Sequence, residues 1–241
     1  MNYMFKNCHS LNSVNILNSR ANNVIDMENM FYNCSSLKTI NFSNFSAINN
    51  VKMYHLVQFC NSLNSIDLSN LNVQNLANMK YMLSDCNNLK YANLSNFNAN
   101  NNTELNYMFS NCKSLISVDL SNFNANNIIY LQYMFSNCYS LKSINLSNFK
   151  VQNNLYTSYM FHHCYSLEEI NFSHIIAGNV INMENTFYNC TSLKFANFSN
   201  FKGKNNVDMK YMFNYCKSLN KLDISNFNAN DTIDMQYMIY N

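Results

Sequence analysis

Nine cysteines, Cys8, Cys34, Cys60, Cys86, Cys112, Cys138, Cys164, Cys190 and Cys216, stand 26 residues apart, with no insertion between any two neighbours. Spacing this regular marks a repeat array, in which a unit too small to bury its own apolar face stacks on the next. Other columns keep the same step. Leucine follows every cysteine by three positions, from Leu11 to Leu219. An apolar residue follows by six, from Val14 to Leu222, and Ile, Leu or Phe by eight, from Ile16 to Ile224. Asn or Asp stands between those two, as at Asp67, Asn93 and Asp119. Apolar–polar–apolar alternation predicts a short strand with one face buried, within 117–121 and 143–147.

The other half of each unit has a different rhythm. Leu131, Met134, Phe135 and Cys138 show it: positions i, i+3, i+4 and i+7, the spacing of one face of a short helix. Asn or Asp lies fifteen residues after each cysteine, at Asn23, Asn49, Asn75, Asn101, Asn127, Asn153, Asn179, Asn205 and Asp231, where it reads as a helix cap. Asp26, Glu104, Asp208 and Asp234 follow three later, as in a capping box. The expected class is therefore α/β: a solenoid of nine 26-residue repeats, with a parallel sheet on one face and short helices on the other. Residues 1–241 read as a single repeat domain without a linker, a segment of a longer protein.

Composition narrows the function. With 15 basic and 13 acidic residues the net charge is +2, too little for an electrostatic grip on nucleic acid. No apolar run reaches the ~20 residues of a membrane span, and MNYMFKNCHS is no secretory signal. There is no proline, only Gly178 and Gly203, and asparagine makes up about a fifth of the chain, which reads in part as an AT-rich coding bias.

The units read LxxIxLSNF followed by MxYMFxxCxSL, and Met108–Phe123 and Met134–Phe149 carry the pattern best. This resembles the leucine-rich repeats of BspA-like bacterial surface proteins, in their 25–26-residue variant MFxxCxSLxxLDLSNF. The resemblance covers the whole chain. It implies a right-handed, leucine-rich-repeat-like solenoid on secreted or surface-anchored proteins, and an extracellular or cell-surface location. Such proteins bind host or matrix macromolecules, or have no assigned role. One departure is aromatic. Phe45, Phe97, Phe123, Phe149, Phe201 and Phe227, with Leu71 and Ile175, hold the ninth position that common leucine-rich repeats give to asparagine.

No catalytic constellation emerges. The cysteines read as small buried hydrophobes with free thiols, because nothing clusters them as metal ligands. His162 and His163 are adjacent in sequence and would diverge on a helix. With two glycines there is no phosphate-binding loop. No cofactor or metal is expected, and no enzymatic activity.

Two surfaces remain as binding candidates. One is the outward strand column Asp67, Asn93, Asp119, Asn145, Asn171 and Asn197; the alternative is an amide ladder that satisfies itself. The other is a tyrosine ridge, Tyr107, Tyr133 and Tyr159, beside the buried face; the alternative is rings that only pack along the stack. Asn93, Asn145, Asn171 and Asn197 also begin N-x-S sequons inside the expected strands, which argues for a non-glycosylating source or unused sites. The function expected is a non-enzymatic, surface-displayed module that binds a protein or glycan on a host, matrix or neighbouring cell. The alternative is a structural spacer that self-associates end to end. Neither nucleic acid nor membrane insertion is expected.

Overall fold

The computed structural model describes residues 1–17, 26–47, 51–69, 71–73, 78–95, 104–121, 130–146, 155–175, 181–203, 207–226, 228–229 and 233–240. Among them every ladder is parallel and keeps one register: Val14 pairs with Ile40, Ile66 with Ala92, Ala92 with Val118, and Ile170 with Ala196. Each pairing steps by 26 residues, so the sequence period is the length of one turn of a parallel β-solenoid.

The main strand column holds Ser13–Asn15, Thr39–Asn41, Ser65–Asp67, Tyr91–Asn93, Ser117–Asp119, Glu169–Asn171, Phe195–Asn197 and Lys221–Asp223. Its middle residue is the apolar one expected six after cysteine, and it points inward at Ile40, Ile66, Val118, Ile170 and Ala196. A second column contains Ser46–Ala47 beside Asn72–Val73, and Lys202–Gly203 beside Asn228–Ala229. A third runs Leu155–Tyr156, Ile181–Asn182, Val207–Asp208, Ile233–Asp234, and single bridges such as Asp26 to Lys52 extend it. The strand expected within 143–147 is not formed: 143–146 carry no strand, Ile144 is only half-buried, and residue 147 lies outside the described residues.

The larger correction concerns the helices. No helix is formed among the described residues, so the helical half of the α/β expectation falls. The side chains assigned to it are nevertheless buried: Leu131, Met134, Phe135 and Cys138 are at most 2 % exposed. The backbone reaches the same burial by another route. The amides of Leu131, Tyr133, Phe135 and Asn137 donate to the carbonyls of Tyr156, Ser158, Met160 and His162 in the next turn. The amides of Met134, Ser136 and Cys138 close four-residue turns on the carbonyls of Leu131, Tyr133 and Phe135. Each of these seven N–H groups is thus satisfied, but none follows the i−4 pattern of an α-helix.

Left-handed residues make this possible. Five positions and one position before each cysteine, φ is positive: 59° at Tyr107 and 62° at Asn111, 58° at Tyr133 and 61° at Asn137. Such a residue breaks any helix. Asn, Asp and His tolerate the conformation best, and Asn7, Asn33, Asp85, Asn111, Asn137, His163 and Asn189 hold the second site. The asparagine content therefore has a structural use beyond coding bias. The cap positions Asn23 to Asp231 lie outside the described residues. Asp26, Asp208 and Asp234, read as capping-box acids, instead accept from the amides two residues ahead, at 2.8, 3.0 and 3.1 Å.

The core is one continuous cluster of Met, Phe, Cys, Leu and Ile columns. Phe109, Phe135, Phe161, Phe187 and Phe213 stack in sequence with centroids 5.2–5.4 Å apart. At the ninth position Phe45, Leu71, Ile175 and Phe201 are buried, while Phe97, Phe123, Phe149 and Phe227 lie outside the described residues.

Candidate functional site

The tyrosines five residues before cysteine form a row. Ring centroids step 4.6 Å from Tyr81 to Tyr107, 4.6 Å from Tyr107 to Tyr133 and 4.7 Å from Tyr133 to Tyr159. Successive planes differ by 14°, 4° and 3°, and His55 extends the stack below Tyr81 at 5.0 Å. The tyrosines line up as a row, and the rings pack on one another along it, as the alternative reading of the ridge has it. The rings are half-buried. Burial first, then neighbouring tyrosines, raises the phenol pKa of Tyr81 and Tyr133, so these hydroxyls are neutral donors at any physiological pH.

Because each ring covers its neighbour's face, the row presents edges and hydroxyls to solvent rather than open faces. Its flanks are amides. Asn106 Nδ2 donates to Gln132 Oε1 at 2.6 Å on one side. On the other, Asn137 Nδ2 donates to Asn111 Oδ1, and Asn111 Nδ2 to Asp85 Oδ1, both at 2.8 Å. This last column is an amide ladder along the stack, and sequence reasoning missed it because the ladder was sought on the strand face. The recurring Asn immediately before cysteine was the available signal.

The strand-face residues behave differently. Oδ1 of Asp67, Asn93, Asp119, Asn171 and Asn197 accepts the amide of the serine two residues ahead, at 2.9–3.1 Å. Each closes a local turn that ends its own strand. They line one face, as expected, yet these bonds lie within a turn rather than between turns. Asn145 is exposed where the strand column is interrupted. Beside that interruption a cavity of about 400 Å³ is lined by Lys142, Ser143, Glu168, Glu169, Lys194 and Phe195, and a 2.8 Å ion pair joins Lys194 to Glu168.

The cysteines form a third column. Eight are buried and carry free thiols. Each of those eight donates S–H to a carbonyl 29 residues earlier; Cys112 to Leu83 and Cys138 to Phe109 are both 3.1 Å. Burial raises the thiol pKa at Cys60, Cys86, Cys112, Cys138, Cys164 and Cys190, which keeps these sulfurs protonated and unreactive. His162 and His163 do not diverge as a helix would require. Their rings stack at 3.9 Å among Tyr159, Tyr165 and Tyr188. Burial, then the neighbouring His163, lowers the pKa of His162 to about 4. Among the described residues no group of three His, Cys, Asp or Glu is placed to hold a metal ion, and no helix is long and apolar enough to cross a membrane.

The chain is similar to several solved structures. A leucine-rich repeat protein from Bacteroides ovatus is 16 % identical, with 97 % of this chain and 77 % of that chain covered and a TM-score of 0.39. An internalin from Listeria monocytogenes is 13 % identical over 93 % of this chain and 62 % of its own, at 0.36. A plant peptide hormone receptor, solved in complex with RGF2, is 15 % identical over 92 % and 38 %, at 0.35. No curated protein matches the chain. One family profile matches residues 1–119, 83–192 and 159–241, segments that together span the sequence, and the chain belongs to that family, described as Mycoplasma protein of unknown function, DUF285.

Proposed function

We propose that residues 1–241 form one non-enzymatic repeat module, displayed outside the cell, that binds a macromolecular partner through the tyrosine row. One observation carries this reading. Tyr107, Tyr133 and Tyr159 hold φ of 58–59°, a conformation that costs a bulky residue about 1–2 kcal/mol. Asn29 and Asn185 occupy the same column, where asparagine adopts the conformation more readily. Strain retained at successive turns points to a use for the ring. A half-buried tyrosine edge with neutral amide flanks has the composition of an interface centre, rich in Tyr and poor in charge. The extracellular placement rests on the resemblance of the LSNF repeats to bacterial surface proteins.

The test uses purified matrix proteins and glycans captured on the 241-residue chain. Replacing Tyr107, Tyr133 and Tyr159 together by Asn is expected to abolish capture while circular dichroism shows the fold retained. Replacing Asp119, Asn145 and Asn171 together by Ala is expected to leave it intact. Loss of capture in the second variant alone would move the site to the strand face.

A structural spacer that associates end to end is the second reading. It is favoured by the exposed rings of Tyr3, Tyr237 and Tyr240, each more than half exposed in the outermost described turns. Light scattering that grows without limit as concentration rises would support it.

A further inference from the structure

The geometry points to a specific partner class for the tyrosine row: a second copy of this chain, docked side by side, row on row. The inference rests on the row being the contact surface proposed above. It starts from the step of the row. Anything that touches all four rings from Tyr81 to Tyr159 must present a matching group every 4.6–4.7 Å. Few polymers do. An α-helix lying along the row repeats every 5.4 Å and falls out of step by about 2 Å over three intervals. An extended strand along the row offers same-face side chains about 6.6 Å apart. Stacked nucleotides step about 3.4 Å. A stack of parallel strands repeats at about 4.7–4.8 Å, in step with the row to within roughly 0.2 Å per turn.

Flatness allows the match to persist. Planes in the row differ by only 3–14°, so successive rings stay nearly parallel and the row bends little. A partner need not follow a strong bend, and interdigitated edges can form a dry zipper of the kind that joins stacked sheets.

A second copy meets both conditions, and its charges do not oppose docking. In a two-fold arrangement with the chains parallel, Lys80 meets Asp85. In an antiparallel one centred between Tyr107 and Tyr133, Lys80 meets Ser158 and Asp85 meets His163. Neither sets lysine against lysine. The amide columns Asn106–Gln132 and Asn111–Asn137 would border the rings on both sides.

Sedimentation velocity on the 241-residue chain from 1 to 200 µM tests this. The expected result is a reversible monomer–dimer equilibrium that stops at twice the chain mass. The triple replacement of Tyr107, Tyr133 and Tyr159 by Asn is expected to weaken dimerisation at least 100-fold. The triple Phe replacement keeps the zipper edges and is expected to weaken it less than 10-fold. Circular dichroism and melting temperature confirm that each variant is folded. A monomer at every concentration would overturn the inference, as would a dimer that survives the Asn triple or growth beyond a dimer. If the chain stays monomeric while the Asn triple still loses capture of a matrix protein or glycan, this inference fails and the broader reading stands. If the Asn triple abolishes the dimer but capture persists, the reverse holds.

Discussion

The turn segments before each cysteine and the main strand column are both parallel ladders of the same period, yet they are held differently. In the turn segments side chains bond and stack from one turn to the next: Tyr107 on Tyr133, Phe109 on Phe135, Asn137 to Asn111, Cys138 to the Phe109 carbonyl. In the strand column the outward Asp and Asn side chains close turns within their own repeat, as Asp119 does with Ser121. The strand column is also the one that breaks, between Thr39–Asn41 and Ser65–Asp67, which form no ladder, and at residues 143–146, while amides beside both points continue the turn-segment ladder: Phe31 donates to Leu56, Phe109 to Met134 and Phe135 to Met160. The contrast teaches that side chains which couple turns carry continuity, whereas side chains which finish a strand carry shape.

Mutations should follow that division. Phe135→Ala removes a fully buried ring from the middle of an aromatic stack, and should cost about 3–5 kcal/mol in chemical denaturation. Ile170→Ala, in an intact strand, should cost about 2–4 kcal/mol. Ile144→Ala, at the break, should cost less than half as much as Ile170→Ala, because its side chain is only half-buried. Equal costs at Ile144 and Ile170 would mean that the strand column continues through Ile144.

Acid should act on the turn segments first. The pKa of His162 is lowered to about 4 in the folded chain against 6.5 for an ordinary histidine, so the unfolded chain binds the extra proton. Stability from this group is complete above pH 6.5 and is lost as pH falls toward 4. The melting temperature should drop across that window. His162→Ser, which installs the residue found at Ser84, Ser110 and Ser136 in the same column, should flatten the drop.

Thiol chemistry separates buried from half-buried sulfurs. Cys8 is half-buried and should label first with a thiol reagent. The other eight are buried and should react only at the rate of unfolding, because a reagent cannot reach their sulfurs in the folded chain. Rapid native labelling of Cys112 would contradict the thiol ladder. The smallest effect is expected on the strand face. Asp119→Ala loses one hydrogen bond to Ser121 at an exposed site and should cost about 0.5–1 kcal/mol.

Much of this was legible in the cysteine spacing. It gave the register, because each turn pairs with the next at the sequence period, and the apolar columns gave the core residue by residue. The strand was legible from its alternation. The helix was misread because three overlapping turns, each closed by an i−3 hydrogen bond, bury positions i, i+3, i+4 and i+7 just as a helix does. The contrary signal was in the intervening positions, where Tyr133, Ser136 and Asn137 stand in place of the Ala, Glu and Lys that favour helix. Of the site, the tyrosine row was visible as a column. Its left-handed backbone and its amide flanks were not, since both depend on how the turn folds.

The central claim is that the segments before each cysteine are bonded to the next turn rather than wound as helices. Scalar coupling across hydrogen bonds, measured by NMR on a deuterated, ¹⁵N,¹³C-labelled chain, tests it directly. The structure predicts coupling from the Phe135 amide nitrogen to the Met160 carbonyl carbon, and from Phe109 to Met134. Coupling from Phe135 to the Leu131 carbonyl instead, the i−4 partner of an α-helix, would contradict it.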